Sequence, residues 1–428
     1  MPRAELERQV MGKITRRLLP LLFVCYVAAF IDRVNVSFAK LAMLPDLGMT
    51  QSEYATGAGI FFIGYFLLEV PSNLILARVG ARRWIARIMI VWGVISACMM
   101  FTTGARSFYA LRFLLGAAEA GFFPGVIFYL MGWFPREYRA RAVSLFMLAA
   151  VFSFVIGSPL SGFLLEHPLF GLRGWQSLFL VEGLPSIALG LVVLLVLPDT
   201  PKDAHWLTGA ERSWLSQRLE QERSLLPAHG PSSVRQSLLD PRVLLLSGIY
   251  FLNVVGGYGL DFFAPTLLAR AYPALGPAEL GLVAAIPPLV TLPIMVVYGR
   301  RADATGDYAG QVAFAAGVFA LGLAFLALPL SPPLLLASLT LCVAGRWCLI
   351  GPFWSLPTAL LSGAAAAGGI AWINSLGNLG GQAGPVLLER LASGDGSFSR
   401  GLWLFSALLG LCAGLALFIR TRGRASAS

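Results

Sequence analysis

Six ionisable side chains lie deep inside segments that are otherwise apolar. Three are arginines and three are acids: Arg33, Arg112, Arg346, Asp32, Glu119 and Asp261. A charge at the centre of a bilayer is costly, so such residues are seldom kept without a partner or a function. A guanidinium binds a carboxylate through two parallel hydrogen bonds and keeps its charge, whereas a carboxylate takes up and releases a proton. The set suits binding of an organic anion together with proton uptake; the alternative is a group of ion pairs that only hold helices together.

Depth along the helices relates four of these residues. With a rise of about 1.5 Å per residue, Arg112 and the adjacent Asp32 and Arg33 each lie roughly 8 to 10 Å inside the same membrane face. Glu119 follows Arg112 by seven residues, which is two turns along the same helical face. We therefore expect Arg33 and Arg112 to contact the anion, and Asp32 and Glu119 to carry the proton.

The segments that hold these residues are long enough to cross a membrane. Hydrophobic residues make up 57% of the 428-residue chain and charged residues 13%, against roughly 25% charge in a soluble domain. A span requires about 20 apolar residues, and this pattern recurs from one end of the chain to the other. The predicted spans are 18–38, 54–76, 84–103, 107–132, 141–165, 175–197, 243–268, 279–298, 310–329, 333–357, 367–391 and 401–420. The sequence therefore predicts an all-α polytopic membrane protein with twelve transmembrane helices.

The longest polar stretch divides the spans into two groups of six. We predict, in order, a cytoplasmic N-terminal tail (1–17), a six-helix bundle (18–197), a cytoplasmic linker (198–242) with a short amphipathic helix near 209–225, a second six-helix bundle (243–420) and a cytoplasmic C-terminal tail (421–428). Two repeated bundles with a site between them are typical of secondary transporters. Most of the 32 basic residues fall in loops on the side of both termini, which makes that side cytoplasmic. The expected location is the bacterial inner membrane.

Composition argues against several other classes of protein. The net charge of +10 is spread over short loops, unlike the continuous basic surface that binds nucleic acid. The five cysteines lie in apolar segments and the three histidines in predicted loops, so we expect no metal and no cofactor. No nucleophile–base set or phosphate-binding glycine loop indicates an enzyme. The expected partners are a small organic anion, protons and the lipid bilayer, and we expect a monomer.

Several segments resemble the major facilitator superfamily, and within it the anion:cation symporter family of tartrate, phthalate and sugar-acid permeases. The matching segments are IDRVNV (31–36), GYFLLEVPSN (64–73), RFLLGAAEAGFFPG (112–125), WFPREYRAR (133–141), GPFWSLP (351–357) and GIAWINSLGNLGG (369–381). The resemblance implies two six-helix bundles and proton-coupled symport of an organic anion by alternating access. It also implies substrate contacts for Arg33 and Arg112 and proton coupling for Asp32 and Glu119.

Three further positions resemble polar cavity residues of this family: Tyr65, Asn374 and Asn378. The resemblance implies that they contact the substrate. The alternative for Tyr65 is ring packing with a satisfied hydroxyl. For the two asparagines the alternative is close helix packing through the neighbouring glycines.

Asp261 and Arg346 depart from the family pattern, in which these positions are more usually uncharged. They differ in depth by roughly 10 Å, so a direct pair requires the arginine to reach outward. We expect Asp261 to join the proton-coupling residues and Arg346 to bind a second carboxylate. This favours a dicarboxylate or sugar acid, tartrate-like; an anion exchanger, a phthalate-like permease and a membrane sensor without transport stay open.

Charged residues in two equivalent loops are candidates for a gate on the cytoplasmic side. They are Arg82 and Arg83 in the first bundle, and Arg300, Arg301 and Asp303 in the second. Charge pairs between these loops would close that side; the alternative is that the charges only set topology. Glu69 and Glu182 lie away from the predicted midplane, and we expect them to pair with loop arginines or to cap helix ends.

Overall fold

The structure is a computed structural model that describes residues 3–224, 240–360, 364–392 and 397–425. The described chain is helical between short turns, two of which are 3-10 turns at Met99–Phe101 and Pro201–Asp203. The first nine helices are α1 (Arg3–Val34), α2 (Val36–Leu47), α3 (Gln51–Val79), α4 (Ala81–Cys98), α5 (Ala105–Glu119), α6 (Phe122–Met131), α7 (Arg136–Glu166), α8 (Gly174–Val196) and α9 (Gly209–Ser224). The others are α10 (Pro241–Asp261), α11 (Ala264–Ala271), α12 (Pro277–Thr305), α13 (Tyr308–Leu326), α14 (Pro332–Leu360), α15 (Ala364–Asn378), α16 (Gly380–Arg390) and α17 (Ser399–Ala425).

These helices make twelve membrane crossings. Eleven stretches among the described residues are long and apolar enough to span a bilayer. The twelfth crossing consists of α15 and α16, which have 15 and 11 residues and are separated by Leu379 alone. Each is shorter than the roughly 20 residues that one span requires. The predicted all-α class with twelve transmembrane helices is confirmed.

Four crossings are interrupted, and each interruption closely follows a residue of the predicted site. α1 ends one residue after Arg33, and α5, α10 and α15 end at Glu119, Asp261 and Asn378. After α5, Gly121 has a φ of 89°, a left-handed conformation that glycine adopts without steric penalty. Irregular backbone is tolerated at membrane depth where it is buried in protein or lines a cavity. From the sequence these four spans are predicted to be continuous, because about 20 mostly apolar residues indicate a span whether or not the helix is interrupted.

The linker helix α9 begins as predicted. Thr208 N–H donates to the Glu211 carboxylate at 2.8 Å, and Glu211 N–H donates to Thr208 Oγ1 at 3.3 Å. Lys13 on α1 also donates to Glu211, at 2.6 Å. The residues of the predicted N-terminal tail from Arg3 onward are helical and belong to α1, which continues into the first crossing. We call the side of the bundle next to α9 the linker side; residues 225–239 of the predicted linker lie outside the described residues.

Helices α1–α8, here the N-half, meet helices α10–α17, here the C-half, through two long contacts. α7 packs along α12, and α3 packs along α15 and α16. Far from the linker side, glycines bring α7 and α12 together: a Cβ on Gly162 would clash with the Pro277 carbonyl, and a Cβ on Gly281 with the Ser158 carbonyl. The halves therefore touch backbone to backbone on the side opposite to the linker.

Candidate functional site

A cavity of about 570 Å³ lies between the two halves, and its lining is polar and aromatic. Five of the six residues predicted to bind substrate line it: Arg33, Tyr65, Arg346, Asn374 and Asn378. We call it the central cavity. It brings together residues that are more than 300 positions apart in the chain.

Two guanidinium groups face the central cavity, one from each half. Arg33 donates to the Tyr258 hydroxyl at 3.0 Å and forms an ion pair with Glu119. Arg346 forms an ion pair with Asp261, and its Cζ lies 5.1 Å from the centroid of the Tyr258 ring. Neither acid belongs to the cavity lining, although both arginines do. Each arginine is thus paired with an acid on the side away from the cavity, and the guanidinium groups give the cavity a cationic surface.

Aromatic rings surround the Arg33 guanidinium. Its Cζ lies 5.0 Å from the ring centroid of Phe30, 5.3 Å from that of Phe61 and 5.5 Å from that of Tyr65. A cation is attracted to the face of such rings when water is excluded. These rings therefore hold the Arg33 side chain in place at the cavity wall.

Arg112 does not reach the central cavity. It is 1% exposed, and its guanidinium donates to the carbonyls of Gly57 at 3.4 Å and Ala58 at 3.1 Å. Of the two arginines that were expected to contact the anion, only Arg33 therefore lines the central cavity. The two arginines have similar depth along their helices, but depth does not specify the direction in which a side chain points.

Asp32 also points away from the central cavity, although Arg33 is its neighbour in sequence. Its carboxylate accepts hydrogen bonds from Trp92 Nε1 at 2.9 Å, Ser96 Oγ at 2.7 Å and Ser186 Oγ at 2.5 Å. Successive residues of a helix with 3.6 residues per turn point in directions about 100° apart. Of the two predicted proton carriers in the N-half, only Glu119 contacts an arginine of the cavity.

The Asp261–Arg346 pair forms because the arginine reaches along α10 past a glycine. A Cβ on Gly257 would lie 2.5 Å from Arg346 Cζ. Asp261 itself lines a second cavity of about 740 Å³, which is mostly apolar and has no basic residue in its lining. We call this the lateral cavity, and the ion pair lies between the two. The central cavity is the better candidate for an anion, because only there do guanidinium groups face the space.

Two glutamates occupy positions that the sequence analysis did not anticipate. Glu69 on α3 accepts hydrogen bonds from Asn374 Nδ2 at 2.5 Å and Ser375 Oγ at 2.8 Å on α15. Glu182 on α8 accepts one from Ser161 Oγ on α7 at 2.7 Å. Both glutamates are buried. The expectation that they pair with loop arginines or cap helix ends is wrong, because helices α3 and α8 extend far enough to place both within the bundle.

The residues predicted to gate the linker side make no ion pair between the halves among the described residues. Arg82 pairs with Asp199 at 3.2 Å, and both lie in the N-half. An equivalent pair with its charges exchanged joins Asp307 to Arg420 in the C-half, at 2.6 Å. The other four gate residues are exposed: Arg83, Arg300, Arg301 and Asp303. In this conformation the gate charges therefore stay within their own halves.

Some cavity residues were not singled out from the sequence. Tyr250, Asn253 and Tyr258 on α10 line the central cavity, and Asn253 Oδ1 is buried without a hydrogen-bond partner among the described residues. Asn253, Tyr258 and Asp261 follow Tyr250 by three, eight and eleven residues, which is the spacing of one helical face. That spacing was the available signal for a polar face on α10.

Comparison with known proteins gives consistent results over most of the chain. A family model described as Major Facilitator Superfamily matches residues 22–385. A protein of Agrobacterium vitis named "Putative tartrate transporter" is 47% identical over 97% of this chain and 92% of its own length. The inner membrane transport protein RhmT of Escherichia coli K12 is 37% identical, over 93% of this chain and 92% of its own.

Solved structures show the same fold at low sequence identity. A bacterial homologue of the human lysosomal transporter Spinster, inward-facing and unoccupied, superposes with a TM-score of 0.73 at 16% identity, covering 94% of this chain and 96% of that chain. The xylose transporter XylE of Escherichia coli superposes with a TM-score of 0.69 at 14% identity, with the same coverage.

Proposed function

The chain belongs to the major facilitator superfamily and is a multi-pass membrane transporter, and we propose that it carries a small organic dianion together with protons. The substrate class is a dicarboxylate or sugar acid of the tartrate type. The carrier alternates between states open on either side of the membrane. The membrane is a bacterial inner membrane, the linker side is cytoplasmic, and the working unit is the monomer.

The observation that carries the substrate proposal is the pair of guanidinium groups on either side of Tyr258. Arg33 belongs to the N-half and Arg346 to the C-half, and both line the central cavity. A guanidinium binds a carboxylate bidentately, so a substrate with two carboxylates contacts both halves at once. The name of the Agrobacterium relative, 47% identical, supports the same class. A site shared between the halves links binding to their relative movement.

The proposed proton coupling starts from the Arg33–Glu119 ion pair. A substrate carboxylate that binds Arg33 competes with Glu119 for the same guanidinium. A buried carboxylate that loses its cation is strongly destabilised unless it takes up a proton. Binding of the anion to Arg33 and protonation of Glu119 therefore favour each other, which is the requirement for symport.

Removal of the Arg346 guanidinium tests the substrate class. Purified protein in liposomes is compared for uptake of tartrate and of glycerate, which lacks the second carboxylate. Because a hydrogen bond to a charged group contributes about 1.5–3 kcal/mol, we expect R346A to raise the KM for tartrate at least about tenfold and to affect glycerate much less. D261N, which keeps the guanidinium, is the control. An unchanged KM for tartrate in R346A excludes the second-carboxylate contact.

Glu119→Gln tests the coupling. We expect wild-type uptake to be driven by a pH gradient, and E119Q to accumulate less anion at the same gradient while it still exchanges internal for external anion. If E119Q retains full pH-driven uptake, Glu119 is not the proton carrier. A wild type that responds to internal anion and not to the pH gradient is an exchanger. Binding without flux indicates a sensor, and preferential uptake of phthalate indicates an aromatic-carboxylate permease.

A further inference from the structure

A second set of buried acids lies inside the N-half, outside the central cavity. Asp32 on α1 is 1% exposed and Glu182 on α8 is 2% exposed. Ser186, one turn after Glu182 on the same face of α8, donates to Asp32 at 2.5 Å. The two carboxyl groups are therefore neighbours in the interior of one half.

The two acids receive unequal numbers of hydrogen bonds. Asp32 accepts three, all described above, whereas Glu182 accepts one, from Ser161, and its Oε2 has no partner among the described residues. Hydrogen bonds donated to a carboxylate stabilise its ionised form. Two adjacent buried carboxylates do not both stay ionised without a cation. This geometry therefore places a proton on Glu182 and the negative charge on Asp32.

The charged side chains of the packed helices do not neutralise this pair. On α1, Arg33 binds Glu119 of α5. On α2, the Lys40 ammonium lies over the rings of Tyr54 and Phe263, at 4.5 and 3.8 Å from their centroids. The acid of α2, Asp46, accepts a hydrogen bond from Trp175 Nε1 and pairs with Arg173. Arg112 of α5 binds backbone carbonyls. The groups of α4, α7 and α8 that bond to the two acids are uncharged: Trp92, Ser96, Ser161 and Ser186.

An unpartnered amide lies between this pair and the lateral cavity. Asn35 is 2% exposed, its side chain lies close to Glu182, and neither its Nδ2 nor its Oδ1 forms a hydrogen bond among the described residues. Asn35 and Ser161 both line the lateral cavity, whereas Asp32 does not. An amide with a free donor and a free acceptor suits a water molecule on the cavity side. Protons from that cavity thus have a polar route to Glu182.

We propose that Glu182 is a second proton site of the carrier, which is loaded from the lateral cavity past Asn35 and Ser161 and shares one proton with Asp32. This inference rests on the proposed proton symport. One proton leaves water in the lateral cavity and binds Glu182, so the pair carries a single negative charge. In each transport cycle the same proton leaves the pair on the side of the membrane opposite to the one from which it entered. No other group is consumed.

Glu182→Gln tests the proposal, because glutamine has the shape of the protonated acid but cannot release the proton. Accumulation of tartrate in liposomes is measured at a pH gradient of about one unit, with the membrane potential set to zero. A gradient of one unit corresponds to a factor of about ten for each coupled proton. We expect E182Q to exchange anion at the wild-type rate and to accumulate about tenfold less. E279Q, which alters an exposed acid that caps α12, is the matched control and should equal the wild type.

The outcomes separate the two proposals. A wild type without pH-driven accumulation overturns the proposed symport, whereas a coupled wild type with equal accumulation by E182Q overturns the role of Glu182 alone. If E182Q is also inactive in exchange, infrared difference spectra of the two proteins test whether Glu182 holds a proton. A carboxylic-acid carbonyl band that vanishes on raising the pH in the wild type and is absent from E182Q supports the proton site. The lack of this band in the wild type overturns it.

Discussion

Tyr258 allows two like charges to lie close together in the central cavity. Its hydroxyl accepts a hydrogen bond from Arg33, and the face of its ring lies beside Arg346. The aromatic ring attracts one cation while the oxygen binds the other. Both arginines were identified from the sequence because a charge in an apolar segment is rarely neutral for function. Tyr258 was not, because a tyrosine in an apolar segment commonly serves only to pack its ring.

Arg112 is the one predicted substrate-binding residue that does not line the central cavity. Spacing along a helix gives depth, but the rotation of the helix about its axis decides what a side chain contacts. In the structure Arg112 binds two carbonyls of α3. Its role in this conformation is therefore to join α5 to α3 behind the cavity wall.

Arg112→Lys tests that role. Lysine has the same charge but lacks the rigid fork that reaches two carbonyls, and loss of one such bond costs about 1–3 kcal/mol. We expect R112K to lower the Tm of the purified protein and to leave the KM for the anion within about twofold of the wild type. R33K is the comparison and should raise the KM at least about tenfold, with a smaller change in Tm. If R112K raises the KM as R33K does and keeps the Tm, Arg112 contacts the anion in another state.

At the scale of helices, the number of crossings followed from composition, whereas their interruptions did not. About 20 apolar residues predict a span whether or not the helix is continuous. The break after Glu119 depends on local backbone geometry. The break after Asn378 depends on the close approach of α16 to α10. There a Cβ on Gly380 would lie 2.7 Å from the Phe251 carbonyl. The glycines were visible in the sequence, but the helices that they contact were not.

The α7–α12 contact provides a prediction about closure of the side opposite to the linker. Gly281→Leu introduces a Cβ that clashes with the Ser158 carbonyl, so the two backbones are forced apart. We expect this variant to lose transport and to remain open on that side. The measurement is labelling of F38C, in a chain without native cysteines, by a thiol reagent that does not cross the membrane.

Gly317→Leu is the matched control, because a Cβ at Gly317 meets nothing within 4 Å. It should transport and label like the parent chain. Equal labelling of the two leucine variants would mean that this glycine contact does not control closure.

At the scale of the whole molecule, contacts within a half and contacts between halves have different consequences for transport. The Arg82–Asp199 pair and its counterpart Asp307–Arg420 each lie within one half. They remain intact when the halves move relative to one another. Glu69, in contrast, joins α3 of the N-half to α15 of the C-half, so its bonds break when the halves separate there.

Glu69→Ala should therefore shift the balance between open and closed states, and Arg82→Ala should not. Loss of hydrogen bonds to a charged acceptor is worth about 1.5–3 kcal/mol each, whereas a partly exposed ion pair contributes about 1 kcal/mol or less to folding. The measurement is the distance between spin labels at R78C and I370C, again without native cysteines. We expect a longer distance in E69A and the parent distance in R82A. A distance distribution unchanged in E69A would show that these bonds do not hold the halves together.

The division into two halves of six spans was predictable from the position of the polar linker. The contacts that join the two halves could not be predicted from the sequence, because a contact such as that of Glu69 with Asn374 joins residues far apart in the chain. The gate was sought between equivalent charged loops, yet in the described residues each charge pair closes within its own half. Sequence position alone does not distinguish these two arrangements.

Both cavity arginines are neutralised by an acid of their own half: Arg33 by Glu119, and Arg346 by Asp261. In the empty carrier each arginine crosses the electric field of the membrane together with its counter-ion when the halves swing, and these pairs displace no net charge. Because the protein returns to its starting state in every cycle, a steady electrical current recorded during transport reports what is carried and not the moving protein. The ratio of current to anion flux would give the number of protons carried with each dianion.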